Sequence, residues 1–193
     1  MGRLILASSS PRRFQLLREA KFQAEAVRPE VTELSCDFLT ASELTRFNAK
    51  LKAGAVAAVY PDAVILGADT VVALGGEIFG KPRNFNDATR MLQQLVGKTH
   101  EVVTGIALLE GNIGRITLRA VYSTVTLRSL SSDEIEAYLR SVNPLDKAGA
   151  YAAQNSGNAI IERIKGSFTN VVGLPMELIG SLLRCAGIHP TSV

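Results

Sequence analysis

The sequence has no tryptophan, two histidines and two cysteines, Cys36 and Cys185. Two thiols so far apart cannot staple a chain of 193 residues. The fold must therefore rest on a packed core, and so sparse a cysteine usage fits a reducing, cytoplasmic setting. His100 and His189 are too scattered to join the cysteines in a structural zinc cage. Long apolar runs are missing as well. The longest, such as residues 53–60, fall far short of a membrane span. The four-residue apolar run after Arg3 lacks the length of a signal-peptide core and reads as a first strand. Charge of one sign is scarce too, because the net charge is only +3. That is too small to imply binding of duplex DNA by itself. The cations instead stand singly at turns, as at Arg12-Arg13 and Lys81, which suits a small polyanion.

What is present is enough for a core: 47% of residues are hydrophobic and 20% charged. Residues 4–7 read as a buried strand running into Ser8-Ser9-Ser10-Pro11, a helix start with Ser10 as cap and Pro11 at the first helical position. Phe14, Leu17 and Ala20 stripe that helix. Thr40 and Glu43 form a capping box before a second helix, striped by Leu44, Phe47, Leu51 and Val59. Residues 64–66 read as a strand, followed by Gly67-Ala68-Asp69-Thr70. A third helix, capped by Asn84 or Asn86, carries Ala88, Met91, Leu92 and Leu95 on one face. Residues 102–109 and 116–127 read as long strands joined by a hairpin, 158–164 as another strand. Helices begin at Ser132 and Met176. The pattern predicts one α/β domain over residues 1–193, a mixed sheet with flanking helices and two lobes around a central cleft.

Five segments carry candidate chemistry. In Ser8-Ser9-Ser10-Pro11-Arg12-Arg13, two arginines stand in the first helical turn, against the helix dipole. An anion held by helix N–H groups and guanidinium forks would explain them, and so would two solvated side chains on a capped helix. Asp69, just after an apolar strand, suits a metal ligand or a base, and equally a strand-end carboxylate that accepts backbone hydrogen bonds. Residues 75–81 fit a phosphate loop as far as Lys81, but Pro82 stands where a hydroxyl is required, so this is no P-loop. Lys81 remains a phosphate-reaching cation or a surface lysine. Asp146-Lys147-Ala148-Gly149-Ala150-Tyr151 is small enough for close packing, and Gln154 beyond it could read a base edge. The polar stretch 166–175 reads as a loop before the last helix, an anion site or plain capping.

Taken together, Ser8-Ser9-Ser10-Pro11-Arg12-Arg13, Gly67-Ala68-Asp69-Thr70-Val71-Val72, Gly80-Lys81-Pro82, Asp146-Lys147-Ala148-Gly149-Ala150-Tyr151 and Asn170-Val171-Val172-Gly173-Leu174-Pro175 resemble the motifs of the Maf family in order and spacing. The resemblance implies a Maf-type α/β fold, related in shape to the inosine triphosphate pyrophosphatases. It also implies hydrolysis of a nucleoside triphosphate to the monophosphate and pyrophosphate, in a house-cleaning role. By the same match Asp69 is the proton acceptor, and Arg12, Thr70 and Gln154 set substrate choice. Ser8, Arg13, Lys50 and Lys81 hold substrate, and Glu33 joins Asp69 on a divalent cation, Mg²⁺ or Mn²⁺. Thr32 stands before Glu33 where the family often has an acidic residue. Arg12 and Thr70 resemble the branch acting on dTTP and UTP. The branch acting on 7-methyl-GTP, and a non-catalytic nucleotide-binding regulator of cell division, are the alternatives. The expected partner is a small triphosphate, with no nucleic acid polymer and no membrane; a homodimer is compatible with all of this.

Overall fold

The computed structural model describes residues 2–36, 38–154 and 159–191. One seven-stranded mixed sheet organises them. It contains β1 (Leu4–Ala7), β2 (Glu25–Val27), β3 (Val64–Leu74), β4 (Glu77–Phe79), β5 (Thr99–Glu110), β6 (Arg115–Leu127) and β7 (Ile161–Lys165). The order is β2-β1-β3-β5-β6-β7, with β4 paired to the far end of β3. β1 runs parallel to β2 and β3, and the remaining pairs are antiparallel. The helices are α1 (Pro11–Glu19), α2 (Ala41–Ala57), α3 (Phe85–Leu95), α4 (Ser132–Ser141), α5 (Phe168–Val172) and α6 (Met176–Cys185). None is long and apolar enough to cross a membrane.

Strand alternation sends the two sets of side chains to opposite faces. Leu4, Leu6, Leu66, Ala68, Ile106 and Leu108 pack under Leu16 and Leu17 of α1 and Ile179 and Leu183 of α6. Further along the same face, Val72, Val102, Val125 and Leu127 pack with α3 and α4. The opposite face presents Ile5, Ala7, Ile65 and Ala107 to Ala49, Ala53 and Val56 of α2.

The buried face of α2 differs from the expected stripe. Phe47 is 49% exposed and Val59 70% exposed, whereas Thr45, Asn48, Ala49, Lys52 and Ala53 are buried. The reason is close approach of backbones. A Cβ on Gly67 would lie 2.2 Å from the Ala49 carbonyl oxygen, and one on Gly105 would lie 2.2 Å from the Thr45 carbonyl carbon. Large side chains have no room between α2 and the sheet, so the helix turns its small and polar residues inward. On α1, Phe14 is likewise 36% exposed while Leu17 is buried.

The sheet has an opening that positions the site. β1 pairs with β3 only as far as Ala7 against Gly67, and the pairing with β4 starts at Val72 against Phe79. On the other side β5 pairs with β3 without interruption from Val64 to Ala73. Residues 68–71 therefore form a free edge inside the sheet. Asp69 lies mid-strand at this edge, and not after the strand as the sequence suggested, because the ladder to β5 carries β3 straight through it.

Smaller differences follow from short elements. Gly75 and Gly76 both have positive φ (59° and 89°) in the two-residue turn between β3 and β4. They serve a hairpin and no phosphate loop. The stretch read as a loop at 166–175 contains α5, capped by Ser167 accepting from Asn170 N. The last strand begins at Ile161, and Asn158, where the sequence placed its start, lies outside the described residues. Asn84, the first of the two candidates, caps α3 by accepting from Asp87 N.

Candidate active site

A cavity of about 410 Å³ lies at the free edge of β3, and Arg12, Asp69, Thr70, Lys81 and Gln154 all line it. Side chains from five distant segments thus converge on one space. Arg12, Arg13, Lys52, Lys81 and Lys147 contribute positive charge, against the carboxylates of Asp69 and Asp146. The excess is positive, in a recess walled partly by Val72, Val102, Tyr151 and Val172. Such a recess focuses its field on an anionic ligand.

The two arginines of α1 have different surroundings. Arg12 donates from Nη1 to Asp146 Oδ2 and from Nη2 to the Asp146 carbonyl oxygen, both at 2.8 Å. Lys147 Nζ reaches Asp146 Oδ1 at 2.6 Å. Burial opposes ionisation of Asp146, but the hydrogen bonds from Lys147 and Arg12 outweigh it and hold the carboxyl below its ordinary pKa. Arg13 is buried and turned into the protein. Its Nε donates to Gly173 O at 2.8 Å, Nη1 to Ala68 O at 2.9 Å and more weakly to Ser8 Oγ at 3.4 Å, and Nη2 to Thr70 Oγ1 at 2.9 Å. Four of the five guanidinium N–H groups are thereby directed at protein atoms. These bonds make Arg13 a cross-link between α1, β3 and the end of α5, and it also lines the cavity. Ser8 is buried behind the wall, its Oγ accepting from Ser10 N. Ser9 and Ser10 face the cavity in its place. Ser10 makes no side-chain cap bond.

Asp69 sits on the face of β3 covered by α2. Lys52 Nζ donates to its Oδ1 at 2.7 Å, and Asn48 Nδ2 to its Oδ2 at 3.2 Å. Lys52 also meets Glu33 Oε1 at 3.0 Å. Lys50, the lysine expected here, is exposed. Two residues rotate a helical side chain by about 200°, so Lys50 points away once α2 turns Asn48 and Lys52 inward. Lys52, two residues on, was the other lysine the motif match allowed, and Asn48 is the residue that sequence reasoning missed. The signal was the four-residue spacing between two polar positions, Asn48 and Lys52, each followed by an alanine.

Thr70 lies on the other face. Its Oγ1 accepts from Arg13 and lies 3.0 Å from Thr104 Oγ1, which donates to Asn170 O. Asn170 is wholly buried and donates to Val102 O and Ser123 Oγ. Lys81, following β4, is exposed, and no ion pair holds it among the described residues. Tyr151 forms part of the wall, and its hydroxyl lies 2.8 Å from His100 Nε2. Burial pushes the His100 pKa down to about 4 and that of Tyr151 up.

The donors bear on a metal directly. Among the described residues no cluster of three or more His, Cys, Asp or Glu exists. Asp69 and Glu33 do meet, at Lys52. One or two carboxylates plus substrate phosphates are the usual donors for Mg²⁺. The set therefore fits a cation that arrives on a polyphosphate better than a resident one.

Residues 3–186 match the family model described as Maf-like protein. A dTTP/UTP pyrophosphatase of Dictyoglomus thermophilum is 42% identical over 185 residues, covering 95% of this chain and 96% of that protein. Proteins of the same name from Syntrophus aciditrophicus and Geobacter sulfurreducens are 41% and 40% identical. They cover 96% and 97% of this chain, and 90% and 98% of their own lengths are matched. A solved nucleoside-triphosphatase / dITP/XTP pyrophosphatase from Mycobacterium abscessus aligns with TM-score 0.43 at 15% identity, over 72% of this chain and 94% of its own.

Proposed function

The chain belongs to the Maf family, and from that premise we propose that it hydrolyses dTTP and UTP to the nucleoside monophosphate and pyrophosphate. The names of its relatives support the substrates. The observation that carries the reading is the convergence of Asp69 with five cationic side chains on one cavity. A triphosphate tail brings close to four negative charges. Water must attack phosphorus through that field, so charge neutralisation and positioning dominate catalysis.

In this reading Asp69 accepts the proton of the attacking water, at the unpaired edge of β3 that borders the cavity. Lys52 and Asn48 hold its two oxygens apart from competing contacts. Arg12 and Lys81 bind the polyphosphate, and Arg13 fixes the wall they work against. Gln154 and Thr70 border the same cavity and select the pyrimidine. A divalent cation, Mg²⁺ or Mn²⁺, would be held by Asp69 and Glu33 and would supply phosphate shielding and a more acidic water.

The test is pyrophosphate release from UTP, dTTP, CTP, ATP, GTP and 7-methyl-GTP, with Mg²⁺ and with chelator. UTP and dTTP should lead, and chelator should abolish turnover. Asp69→Asn should still bind nucleotide but lose at least about a hundredfold in kcat. Preference for 7-methyl-GTP would move the chain to the other branch. Tight binding with no product would make it a sensor.

A further inference from the structure

We infer that Asn48 is a positioning residue for Asp69 and for the segment that carries Glu33, a role that rests on the reading of Asp69 given above. Asn48 and Lys52 stand one turn apart on α2, and both are buried, at 3% and 6% exposure. They divide Asp69 between them: Lys52 takes Oδ1 and Asn48 takes Oδ2. One donor on each oxygen fixes the plane of the carboxylate as well as its position.

The same amide does a second job. Asn48 Oδ1 accepts from Leu34 N at 2.8 Å, and Nδ2 donates to Leu34 O at 3.0 Å. Leu34 is joined to Glu33, whose carboxylate meets Lys52. Residues 28–36 contain neither helix nor strand, so a side chain that pairs with both polar groups of one peptide residue acts as their anchor. Both Nδ2 hydrogens and an Oδ1 lone pair are then in use. The orientation of the amide is forced. Flipped, it would set its oxygen against Leu34 O and the Asp69 carboxylate, and its NH₂ against Leu34 N–H.

The chemistry explains why an amide stands here. A second cation would stabilise the ionised carboxylate and weaken Asp69 as a base, and an apolar residue would leave the carboxylate free to rotate about its bond to Lys52. A neutral donor orients the carboxylate without either effect. Asn48→Leu removes the hydrogen bonds at similar volume, and Asn48→Asp keeps the shape but replaces donors by acceptors.

Steady-state kinetics on UTP should show kcat down about tenfold to a hundredfold for Asn48→Leu, the scale seen for groups that orient a reacting group or ligand. Equilibrium binding of a non-hydrolysable UTP analogue should stay within about threefold on the same grounds. Asn48→Asp should be slower still; a packing role alone would make the shape-preserving variant the milder one. In an Asp69→Asn background, Asn48→Leu should cost almost nothing further in kcat, since the group it positions is gone. Hydrogen exchange at residues 33–35 should rise in Asn48→Leu whatever the fate of catalysis. The inference is overturned if kcat is unchanged in Asn48→Leu, or falls equally in both backgrounds, or if exchange at 33–35 does not move. An Asp69→Asn enzyme with full turnover would instead overturn the functional reading, with the exchange result still judging the anchor.

Discussion

Lys52 Nζ lies 2.7 Å from Asp69 Oδ1, and the two side chains are only 7% and 9% exposed. A pair so removed from water is held by geometry, and deleting one member leaves the other as an uncompensated buried charge. Lys52→Met should therefore lower kcat on UTP by about a hundredfold or more, the scale of a disabled general base. Lys50→Met, on the exposed side of the same helix, should change kcat less than about twofold. Parallel kinetics of the two variants check this, and equal losses would contradict the assignment.

Arg13 should act mainly on stability. Its removal strands the Gly173 carbonyl and leaves the Ala68 carbonyl only the longer contact from Lys52 Nζ at 3.5 Å. Buried acceptors left alone cost about 1–3 kcal/mol each. Arg13→Met should then lower Tm by about 10 °C, on the scale of a few degrees per kcal/mol for a chain of this size. Differential scanning calorimetry measures it. A melt unchanged within about 2 °C would argue that Arg13 is free to serve substrate instead.

Two glycine-to-alanine changes should go in opposite directions. A methyl on Gly105 would collide with the backbone of Thr45 and Arg46, whereas one on Gly54 of α2 meets nothing within 4 Å. Gly105→Ala should yield insoluble or strongly destabilised protein. Gly54→Ala should gain about 0.5–1 kcal/mol from reduced chain entropy in a helix. Urea unfolding of both variants decides whether α2 is seated as closely as described.

Acid should destabilise the fold through His100. Burial depresses its pKa to about 4, against about 6.5 in an unfolded chain. Between those values the unfolded state binds more protons. The contribution is complete above about pH 6.5 and is lost as pH falls towards 4, on the order of 3 kcal/mol in all. Tm measured from pH 7 to 4 should fall, and His100→Phe should flatten that part of the curve. A native curve with no slope in this window would show that the ring remains solvated when folded.

The architecture was legible where elements are long and periodic. The apolar set Ala88, Met91, Leu92 and Leu95 is buried together. The second long strand expected, residues 116–127, is β6, in which Ser123, Val125 and Leu127 alternate inward and are buried. α2 was misread because hydrophobicity is a poor guide where backbones touch. Phe47 and Val59 look like core, yet only small side chains fit against Gly67 and Gly105. The motif match left Lys50 and Lys52 two residues apart as alternatives, and only the buried face of α2 decides for Lys52. The convergence of Arg12, Asp69, Thr70, Lys81 and Gln154 was legible through motif order. The inward turn of Arg13 and the position of Ser8 behind the wall were not. Both depend on which carbonyl stands nearby, and a sequence does not display its carbonyls. β2, β4 and α5 are too short to leave a periodic trace.

The gap between the ends of β1 and β4 has a consequence for solubility. An uncovered strand edge is a template on which a foreign chain can add itself. Here Arg13 and Lys52 both donate to the Ala68 carbonyl within that gap, so charged groups guard it against recruitment. A variant stripped of both would lose its guard along with its chemistry, and its first symptom in concentrated solution should be self-association.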